Sequence, residues 1–229
     1  MTEEEIKSVQ IESIGQHAHE LYKFHRKNRL TASLFGMICK RRSSTPSQNH
    51  LEKILYQKTF QTADTNFGTV NESLAIRLFE NQMNKKVQPS GLFIDHEFGF
   101  LGASPDGIIE DENAIVEVKC FPSINRLNTK TFEYAAGTKK NFPLKLNDNG
   151  TWEINKHHDY HYQIQGQLRI TKADKCYFIG FINISSPLLV VEIFPDHDFI
   201  HNMMEKLVSF FKIYVIPEII LRRLEKSPD

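Results

Sequence analysis

"GASPDGIIEDENAIVEVKC", residues Gly102–Cys120, places charged side chains within and beside two strand-like segments. Gly107–Ile109 and Ala114–Cys120 are apolar enough to form neighbouring strands, and the acidic "EDEN" between them is typical of a hairpin turn. Asp106 precedes the first strand, and the second strand carries the charged residues of "EVK". Such charges are costly to bury unless they bind each other, a metal ion or a substrate. The stretch therefore predicts a strand pair with a site at its end.

Spacing within the second strand brings these charges together. Glu117 and Lys119 lie two residues apart, so their side chains point to the same face, and the hairpin brings Asp106 close to both. Paired carboxylates suit a hard divalent ion such as Mg²⁺, which prefers oxygen ligands and keeps several waters. A lysine beside them can hold a metal-bound water near a scissile phosphate and favour its ionised form. The pattern fits metal-assisted phosphodiester hydrolysis, although acid-x-Lys also occurs by chance on unrelated strands.

The rest of the chain predicts helices around a mixed sheet. Helical signals cover residues 4–27, a short segment from Thr31 or Ser33 where "TAS" offers capping hydroxyls, and residues 50–60, 69–83, 157–171 and 198–224, the last bent near Pro217. Strand signals begin at Val87 and recur at residues 176–184 and 188–194, with a further hairpin turn at Asp148-Asn149-Gly150. The order of these elements predicts a mixed α/β layer architecture rather than a doubly wound sheet.

Length, charge and cysteine content narrow the class of protein. The chain has 229 residues, with 28 basic and 28 acidic side chains, so its net charge gives no indication of a polyanionic partner. No apolar run approaches membrane-spanning length, and the first ten residues lack the order of a secretory signal. Cys39, Cys120 and Cys176 are odd in number and widely spaced, so they suggest no disulfide framework. We expect a reducing compartment and no membrane partner.

One segment of the chain is strongly basic, although the chain as a whole has no net charge. Between Leu21 and Arg42 there are seven basic residues and no acidic one. They are Lys23, Arg26, Lys27, Arg29, Lys40, Arg41 and Arg42. Such a block can bind phosphates locally without making the whole protein basic. The alternative interpretation is a solvated helix face followed by a basic loop.

Four ordered blocks of sequence carry a family resemblance. They are Arg26 with "TAS" (Thr31–Ser33), "FGTVNESLAIRLFE", "GASPDG…EVKC" and "YHYQIQGQL", and together they span Tyr22 to Leu168. This set resembles the PD-(D/E)xK nuclease superfamily and, within it, the lambda-exonuclease-like, YqaJ-type recombination nucleases. The resemblance implies a restriction-endonuclease-like α/β core with a central mixed β-sheet flanked by helices. It also implies a single nuclease domain over residues 1–229, in which the helices of residues 1–85 pack on the catalytic sheet and helices of residues 86–229.

The resemblance implies roles for the charged residues by position. Asp106 and Glu117 would be metal ligands, helped by the backbone carbonyl of Val118. Glu72 would contact the metal directly or through water, and Lys119 would orient and activate the attacking water. The implied cofactor is Mg²⁺, for which Mn²⁺ would substitute.

Further roles follow from the same blocks. Gln163 would assist near the nucleophile, with Gln165 as the alternative. The residues implied to contact DNA, and chiefly a 5′-terminal phosphate, are Arg26, Ser33, Ser104, Thr31 and Tyr160. Guanidinium and hydroxyl groups suit this task because they form charge-assisted hydrogen bonds to phosphate oxygens.

The resemblance implies a metal-dependent deoxyribonuclease, chiefly a 5′→3′ exonuclease that degrades one strand of duplex DNA from a 5′-phosphorylated end in recombination or repair. It also implies a single-strand annealing partner, a ring-shaped trimer, and residence in the cytoplasm of a bacterial or phage host or in a nucleus. Two alternatives stay open. One is a structure-specific or single-strand endonuclease on the same fold, and the other is a catalytically silent module that binds DNA ends.

Several residues also have plainer interpretations. Glu72 could pair with Arg77 or a lysine at the rim of the core, Ser33 could serve only as a helix cap, and Ser104 only as a turn residue. Three histidines, His157, His158 and His161, lack a partner at zinc-ligand spacing, so we expect them to contact solvent or DNA. Trp152 is expected in the core, and Cys120 is expected to be a small buried apolar residue.

One departure from the family pattern bears on assembly. The stretch Phe121–His158 is longer than in the compact phage form. Its Lys139, Lys140 and Lys145 could contact DNA, or the insertion could block the ring-shaped trimer.

Overall fold

The computed structural model describes residues 1–15, 20–56, 62–126, 131–222 and 224. The N-terminal part contains α1 (Glu3–Glu12), α2 (Glu20–Arg26), β1 (Leu30–Thr31), a 3₁₀ turn (Ala32–Leu34), α3 (Phe35–Cys39), α4 (Gln48–Leu51), a π-helical turn (Glu52–Tyr56) and α5 (Ala63–Met83). The middle contains β2 (Phe93–Ile94), β3 (Leu101–Ala103), β4 (Gly107–Ile109), a 3₁₀ turn (Glu110–Glu112), β5 (Ala114–Cys120), α6 (Pro122–Asn125), α7 (Phe132–Thr138), β6 (Leu144–Leu146) and β7 (Trp152–Ile154). The C-terminal part contains α8 (Asp159–Thr171), β8 (Lys175–Phe181), β9 (Leu189–Ile193), α9 (His197–Phe210), a π-helical turn (Phe211–Val215) and α10 (Ile216–Leu221).

The main sheet has the strand order β4-β5-β8-β9. Strands β4 and β5 pair antiparallel, β5 and β8 pair parallel, and β8 and β9 pair antiparallel. A smaller sheet has the order β1-β3-β2, and β6 pairs with β7 in a separate hairpin. The predicted α/β fold with a central mixed sheet is confirmed.

The β4–β5 hairpin forms where the sequence predicts it. After the short 3₁₀ turn, Asn113 takes a left-handed conformation with φ 45°, which asparagine tolerates better than most residues. Gly107 pairs with Val116, and a side chain at position 107 would meet the Cγ1 atom of Val87 at 2.3 Å. The glycine therefore lets the chain directly after Asp106 pack against Val87, which a larger residue would displace.

Helices cover both faces of β5. Val116 and Val118 face α5, whose Ala75 and Phe79 are fully buried in the same apolar cluster. Ile115, on the opposite face, shares a cluster with residues of α8. The predicted inner face of α5 is confirmed, since its other members, Glu72, Ile76 and Met83, are half-buried beside these two. Glu117 lies on the α8 face of the strand, because side chains alternate along it.

The predicted single helix over residues 4–27 is wrong. α1 ends at Glu12, α2 begins at Glu20, and residues 16–19 lie outside the described ranges. The hydroxyl of Ser13 donates to the carbonyl of Val9 at 2.6 Å and accepts from the amide of Leu92 at 2.7 Å. This bond ties the end of α1 to the chain entering β2, and Gly15 then takes φ 94°, which is outside the helical conformation.

Two other helical predictions need smaller corrections. The helix predicted at residues 50–60 begins earlier, at Gln48, and passes into a π-helical turn, while residues 57–60 lie outside the described ranges. The last predicted helix is interrupted by a π-helical turn directly before α10, and Pro217 stands at the start of α10. Proline lacks an amide hydrogen, so it is tolerated in a first helical turn and favours this break. In the described part of the chain, no helix has both the length and the apolarity needed to cross a membrane.

The insertion over residues 121–158 contributes α6, α7 and the β6–β7 hairpin. The turn of that hairpin includes Gly150, which has φ 81° and donates its amide to the carbonyl of Asn147. Lys139 donates to the hydroxyl of Ser123 at 2.7 Å and is half-buried, whereas Lys140 and Lys145 are exposed. Trp152, expected in the core, is half-buried against its edge.

Candidate active site

The hairpin brings the three charged residues of the opening stretch together. Asp106 accepts a hydrogen bond from the amide of Val118 through Oδ2 at 2.7 Å. The ammonium group of Lys119 donates to Oε1 of Glu117, with which it forms an ion pair. The Glu117 side chain is only 1% exposed. The strand period pairs Glu117 with Lys119, and the turn brings the Asp106 carboxylate to the amide of the residue between them.

A third carboxylate, that of Glu72, interacts electrostatically with these charges. Burial raises the pKa of Asp106 well above its usual range, and the charges of Glu117 and Glu72 raise it further, against opposing effects of Lys119 and the Val118 amide. Burial also raises the pKa of Glu72, and the charge of Glu117 adds to that increase. The charge of Lys119 opposes this increase, and Arg77 is not among the groups that act on Glu72, so pairing with Arg77 lacks support among the described residues.

Lys119 keeps its charge in this setting. Burial opposes the charged form, but the carboxylates of Glu117 and Asp106 outweigh burial and raise the pKa of Lys119 above its usual range. Its Nζ atom lies 5.1 Å from the centre of the Tyr160 ring, close enough for a cation–π contact. A lysine held as ammonium cannot accept a proton, but it can orient a water or stabilise developing negative charge.

Helix α8 supplies further partners to Glu117. Gln163 donates through Nε2 to Oε1 at 2.6 Å, and Gln167 donates through Nε2 to Oε2 at 2.6 Å. Gln165 faces elsewhere, since it donates to the carbonyl of Phe194 at 3.0 Å. Of the two glutamines considered from sequence, the structure brings Gln163 to the site. Sequence reasoning missed Gln167, although its spacing of four residues from Gln163 was the available signal, because such residues share a helix face.

Some of the residues predicted to bind the terminal phosphate lie together near the end of β1. Arg26 donates to the hydroxyl of Tyr22 at 3.4 Å and to that of Thr31 at 3.5 Å. The hydroxyls of Thr31 and Ser33 lie 3.3 Å apart. Thr31 precedes the 3₁₀ turn without a capping hydrogen bond from its side chain, so the expectation that "TAS" hydroxyls cap this helix is wrong.

Ser104 joins this end of the small sheet. Strands β1 and β3 pair in parallel, with Thr31 opposite Gly102, so Ser33 and Ser104 both follow the last paired residues. The Ser104 hydroxyl is buried and has no hydrogen-bond partner among the described residues. Tyr160, predicted with the same group, lies instead beside Lys119.

His161 and Cys120 differ from expectation, whereas His157 is exposed as predicted. His161 is only 2% exposed and packs edge-on against the ring of Phe199, so the prediction that it contacts solvent or DNA is wrong. The Nδ1 atom of His158 accepts from the amide of Tyr160 at 3.2 Å. Cys120 is half-buried, and burial raises the pKa of its thiol to about 11.

The carboxylates at this site can be compared with the ligands that Mg²⁺, the predicted cation, requires. Within the described ranges, no group of three or more His, Cys, Asp or Glu side chains is arranged as a ready-made metal cage. Mg²⁺ does not require one, since it usually binds one or two carboxylates and keeps several waters. Asp106 and Glu117, with the backbone at Val118, fit that requirement. Burial and then neighbouring negative charge raise the pKa of Asp106, and a bound cation would oppose both effects.

Solved structures share this fold. The alkaline exonuclease LHK-Exo of Laribacter hongkongensis is 23% identical, with a TM-score of 0.64 over 86% of this chain and 93% of that one. A phage-related exonuclease of Haemophilus somnus is 15% identical, with a TM-score of 0.55 over 83% and 96%. The shutoff and exonuclease protein of Kaposi's sarcoma-associated herpesvirus is 13% identical, with a TM-score of 0.59 over 89% and 70%. At these identities the likeness shows the fold alone, and no curated protein matches the chain.

Comparison of the sequence with protein families identifies a family to which the chain belongs, which the shared fold alone does not do. The pattern of the YqaJ-like viral recombinase domain matches residues 21–174, which is more than half of the chain. The matched span runs from before Arg26 to beyond Gln163 and contains the β4–β5 hairpin with Asp106 and Glu117. Because the residues that meet in the structure all lie inside this span, the match and the geometry concern the same site. The chain belongs to the YqaJ-like viral recombinase domain family.

Proposed function

We propose that this protein is a Mg²⁺-dependent deoxyribonuclease that degrades one strand of duplex DNA from a 5′-phosphorylated end in the 5′→3′ direction, with Mn²⁺ able to replace Mg²⁺. The observation that carries the proposal is the ion pair of Glu117 with charged Lys119, on either side of the Val118 amide that the Asp106 carboxylate binds. Membership of a viral recombinase family supports a DNA substrate and a role in recombination or repair. One structure of this fold, at 13% identity and a TM-score of 0.62, is a SOX–DNA complex, which supports nucleic-acid binding here.

The chain's own residues divide the chemical work. A divalent cation held by Asp106 and Glu117, with Glu72 and the Val118 carbonyl close by, would polarise the phosphate and activate water. Lys119 contributes a fixed positive charge, because the neighbouring carboxylates keep it protonated. It stabilises the negative charge that develops on the phosphate and orients the attacking water. Gln163 holds the Glu117 carboxylate in place through its 2.6 Å hydrogen bond.

End recognition is assigned to the group around Arg26. Its guanidinium lies near the hydroxyls of Thr31 and Ser33, and the buried hydroxyl of Ser104 follows the neighbouring strand. Charge-assisted hydrogen bonds from such a group to a terminal phosphate are about twice as strong as neutral ones. A held 5′-phosphate fixes which phosphodiester reaches Lys119, so the enzyme would advance one nucleotide at a time. A single-strand annealing partner and a ring-shaped trimer belong to the same proposal.

The proposal can be tested with a linear and a covalently closed DNA duplex. Linear duplex DNA carrying one 5′-phosphorylated end and one blocked end is incubated with Mg²⁺ and either the wild-type protein or Lys119→Ala. We expect stepwise loss from the phosphorylated end with the wild type only. Cleavage of a covalently closed duplex would favour an endonuclease, and tight end binding without nucleotide release in Mg²⁺ or Mn²⁺ would favour a silent end-binding module.

A further inference from the structure

The two oxygens of the Glu117 carboxylate have different surroundings. Oε1 accepts from Lys119 and Gln163, which are both half-buried and line the accessible side of the carboxylate. Oε2 accepts from Gln167, which is 1% exposed and closes the inner side. A ligand that approaches from outside therefore meets Oε1, while Oε2 is held towards α8.

The hydrogen bond to Oε2 of Glu117 fixes the orientation of the Gln167 amide and leaves the oxygen of that amide without a partner among the described residues. The Gln167 amide cannot be reversed, because its own oxygen would then face a carboxylate oxygen. In the orientation that bonds Glu117, the Oε1 atom of Gln167 is buried and has no hydrogen-bond partner among the described residues. A buried unpaired acceptor is unfavourable for folding, and an apolar side chain of similar volume would avoid it. Packing alone therefore does not account for a glutamine at this position.

We propose that Gln167 is a positioning residue that restricts Glu117 to binding a divalent cation through Oε1 only, and that it thereby favours Mg²⁺ over Ca²⁺. This inference rests on the proposed metal-dependent function. Mg²⁺ is small and demands near-octahedral geometry, which a single carboxylate oxygen from each ligand satisfies. Ca²⁺ takes more oxygen ligands and often binds both oxygens of one carboxylate. With Oε2 held by Gln167, Glu117 cannot pivot to offer both oxygens.

The test compares Gln167→Met with the matched control Gln165→Met. Both glutamines are buried on α8, but Gln165 bonds the Phe194 carbonyl and not Glu117. Calorimetry on the DNA-free protein gives the dissociation constants for Mg²⁺ and for Ca²⁺, and circular dichroism establishes that each variant folds. Removing a partner that orients a metal ligand typically lowers metal affinity by about 10- to 100-fold. In Gln167→Met we expect this loss to fall on Mg²⁺, so that the preference for Mg²⁺ over Ca²⁺ decreases about tenfold. The preference should be unchanged in Gln165→Met.

The outcomes separate the possible failures. An equal weakening of both cations, or an unchanged preference, in folded Gln167→Met would show a purely structural role and overturn the inference. If that variant does not fold, Gln167→Asn shortens the same amide by one methylene and must shift the preference in the same direction. A wild-type protein that binds neither cation and releases no nucleotides would instead overturn the proposed function, and the inference with it.

Discussion

The surroundings of Glu117 and of Arg26 represent two kinds of site on one fold. Glu117 is fully buried, and two glutamine amides and one ammonium donate to it, the amides at 2.6 Å. Arg26 is half-buried, and its contacts with Tyr22 and Thr31 are long, at 3.4 and 3.5 Å. Strong, saturated contacts fix a group before substrate arrives, whereas weak ones leave donors available to an incoming anion. Under the proposed function, the group around Glu117 would be set before substrate binds, while end recognition at Arg26 would depend on the incoming phosphate.

The largest effect is expected from Glu117→Gln. The neutral amide removes one carboxylate ligand and directs its own NH₂ towards donors that previously met an acceptor. We expect nucleotide release in Mg²⁺ to fall by about 10³-fold or more, the scale on which electrostatic groups of active sites contribute. Single-turnover release of labelled nucleotides measures the rate, and fluorescence anisotropy measures DNA-end binding, which should persist because the Arg26 group is untouched.

The matched control for that variant is Glu192→Gln. Glu192 lies on β9 at the edge of the same sheet, where it is exposed and pairs with Lys175 at 3.2 Å. This substitution should leave the rate of nucleotide release unchanged. A Glu117→Gln rate within tenfold of the wild type would show that the buried carboxylate is structural and would remove the distinction between the two sites.

Arg26→Ala should act on end preference rather than on chemistry. Removing the guanidinium takes away charge-assisted hydrogen bonds to the terminal phosphate, each worth about 1.5–3 kcal/mol. We expect the preference for 5′-phosphorylated over 5′-hydroxyl ends to fall by about 10- to 100-fold, while the rate on hydroxyl ends stays nearly unchanged. Competition between the two substrates, labelled differently, measures the preference.

Arg126→Ala provides the comparison for the arginine variant. Arg126 is an exposed arginine that pairs with Asp64 at 3.0 Å and lies outside the group around Arg26. Its loss should leave the end preference intact. If Arg26→Ala slows nucleotide release equally from both kinds of end, this arginine contributes to general DNA binding. That result would contradict a binding site specific for the 5′-terminal phosphate.

Local patterns predicted the parts of the molecule that depend on neighbours in sequence. The strand period placed Glu117 beside Lys119, and a hairpin turn was enough to bring Asp106 to them. The helix period likewise placed Glu72 on the inner face of α5, above fully buried Phe79. These features follow from repeats of two and of about 3.6 residues, which the sequence displays directly.

Long-range contacts explain what the sequence did not show. The end of α1 depends on a hydrogen bond between Ser13 and Leu92, which are 79 residues apart. The burial of His161 depends on Phe199, which α9 brings against α8 after two intervening strands. Gln167 looked like any polar residue at a helix edge until β5 placed Glu117 opposite it. In each case the decisive partner comes from another element, so no local pattern carries the information.

The smallest predicted effect is on the pH dependence of stability, through His161 on α8. This helix contacts residues near both sites. Its Gln163 contacts Glu117, and a side chain at its Gly166 would meet the ring of Phe35, directly after the turn that contains Ser33. His161 lies on the same helix, and burial lowers its pKa from 6.5 to about 4, with the charges of Lys156 and His157 adding to the effect and Asp196 opposing it. The unfolded chain therefore binds more protons than the folded one between these values, so stability falls as pH decreases through this window.

We expect His161 to lower the free energy of unfolding by about 2 kcal/mol between pH 7.5 and pH 5. Denaturant titrations of the wild type and His161→Phe at both pH values isolate this contribution. Asp106 and Glu72, whose raised pKa values act in the opposite direction, are common to both proteins and cancel in the difference. An equal pH dependence in the two proteins would contradict the assignment.

If α8 unites the two sites, nucleotide release and phosphate preference should be lost at the same denaturant concentration. Separate midpoints would show that Glu117 and Arg26 belong to independently stable regions.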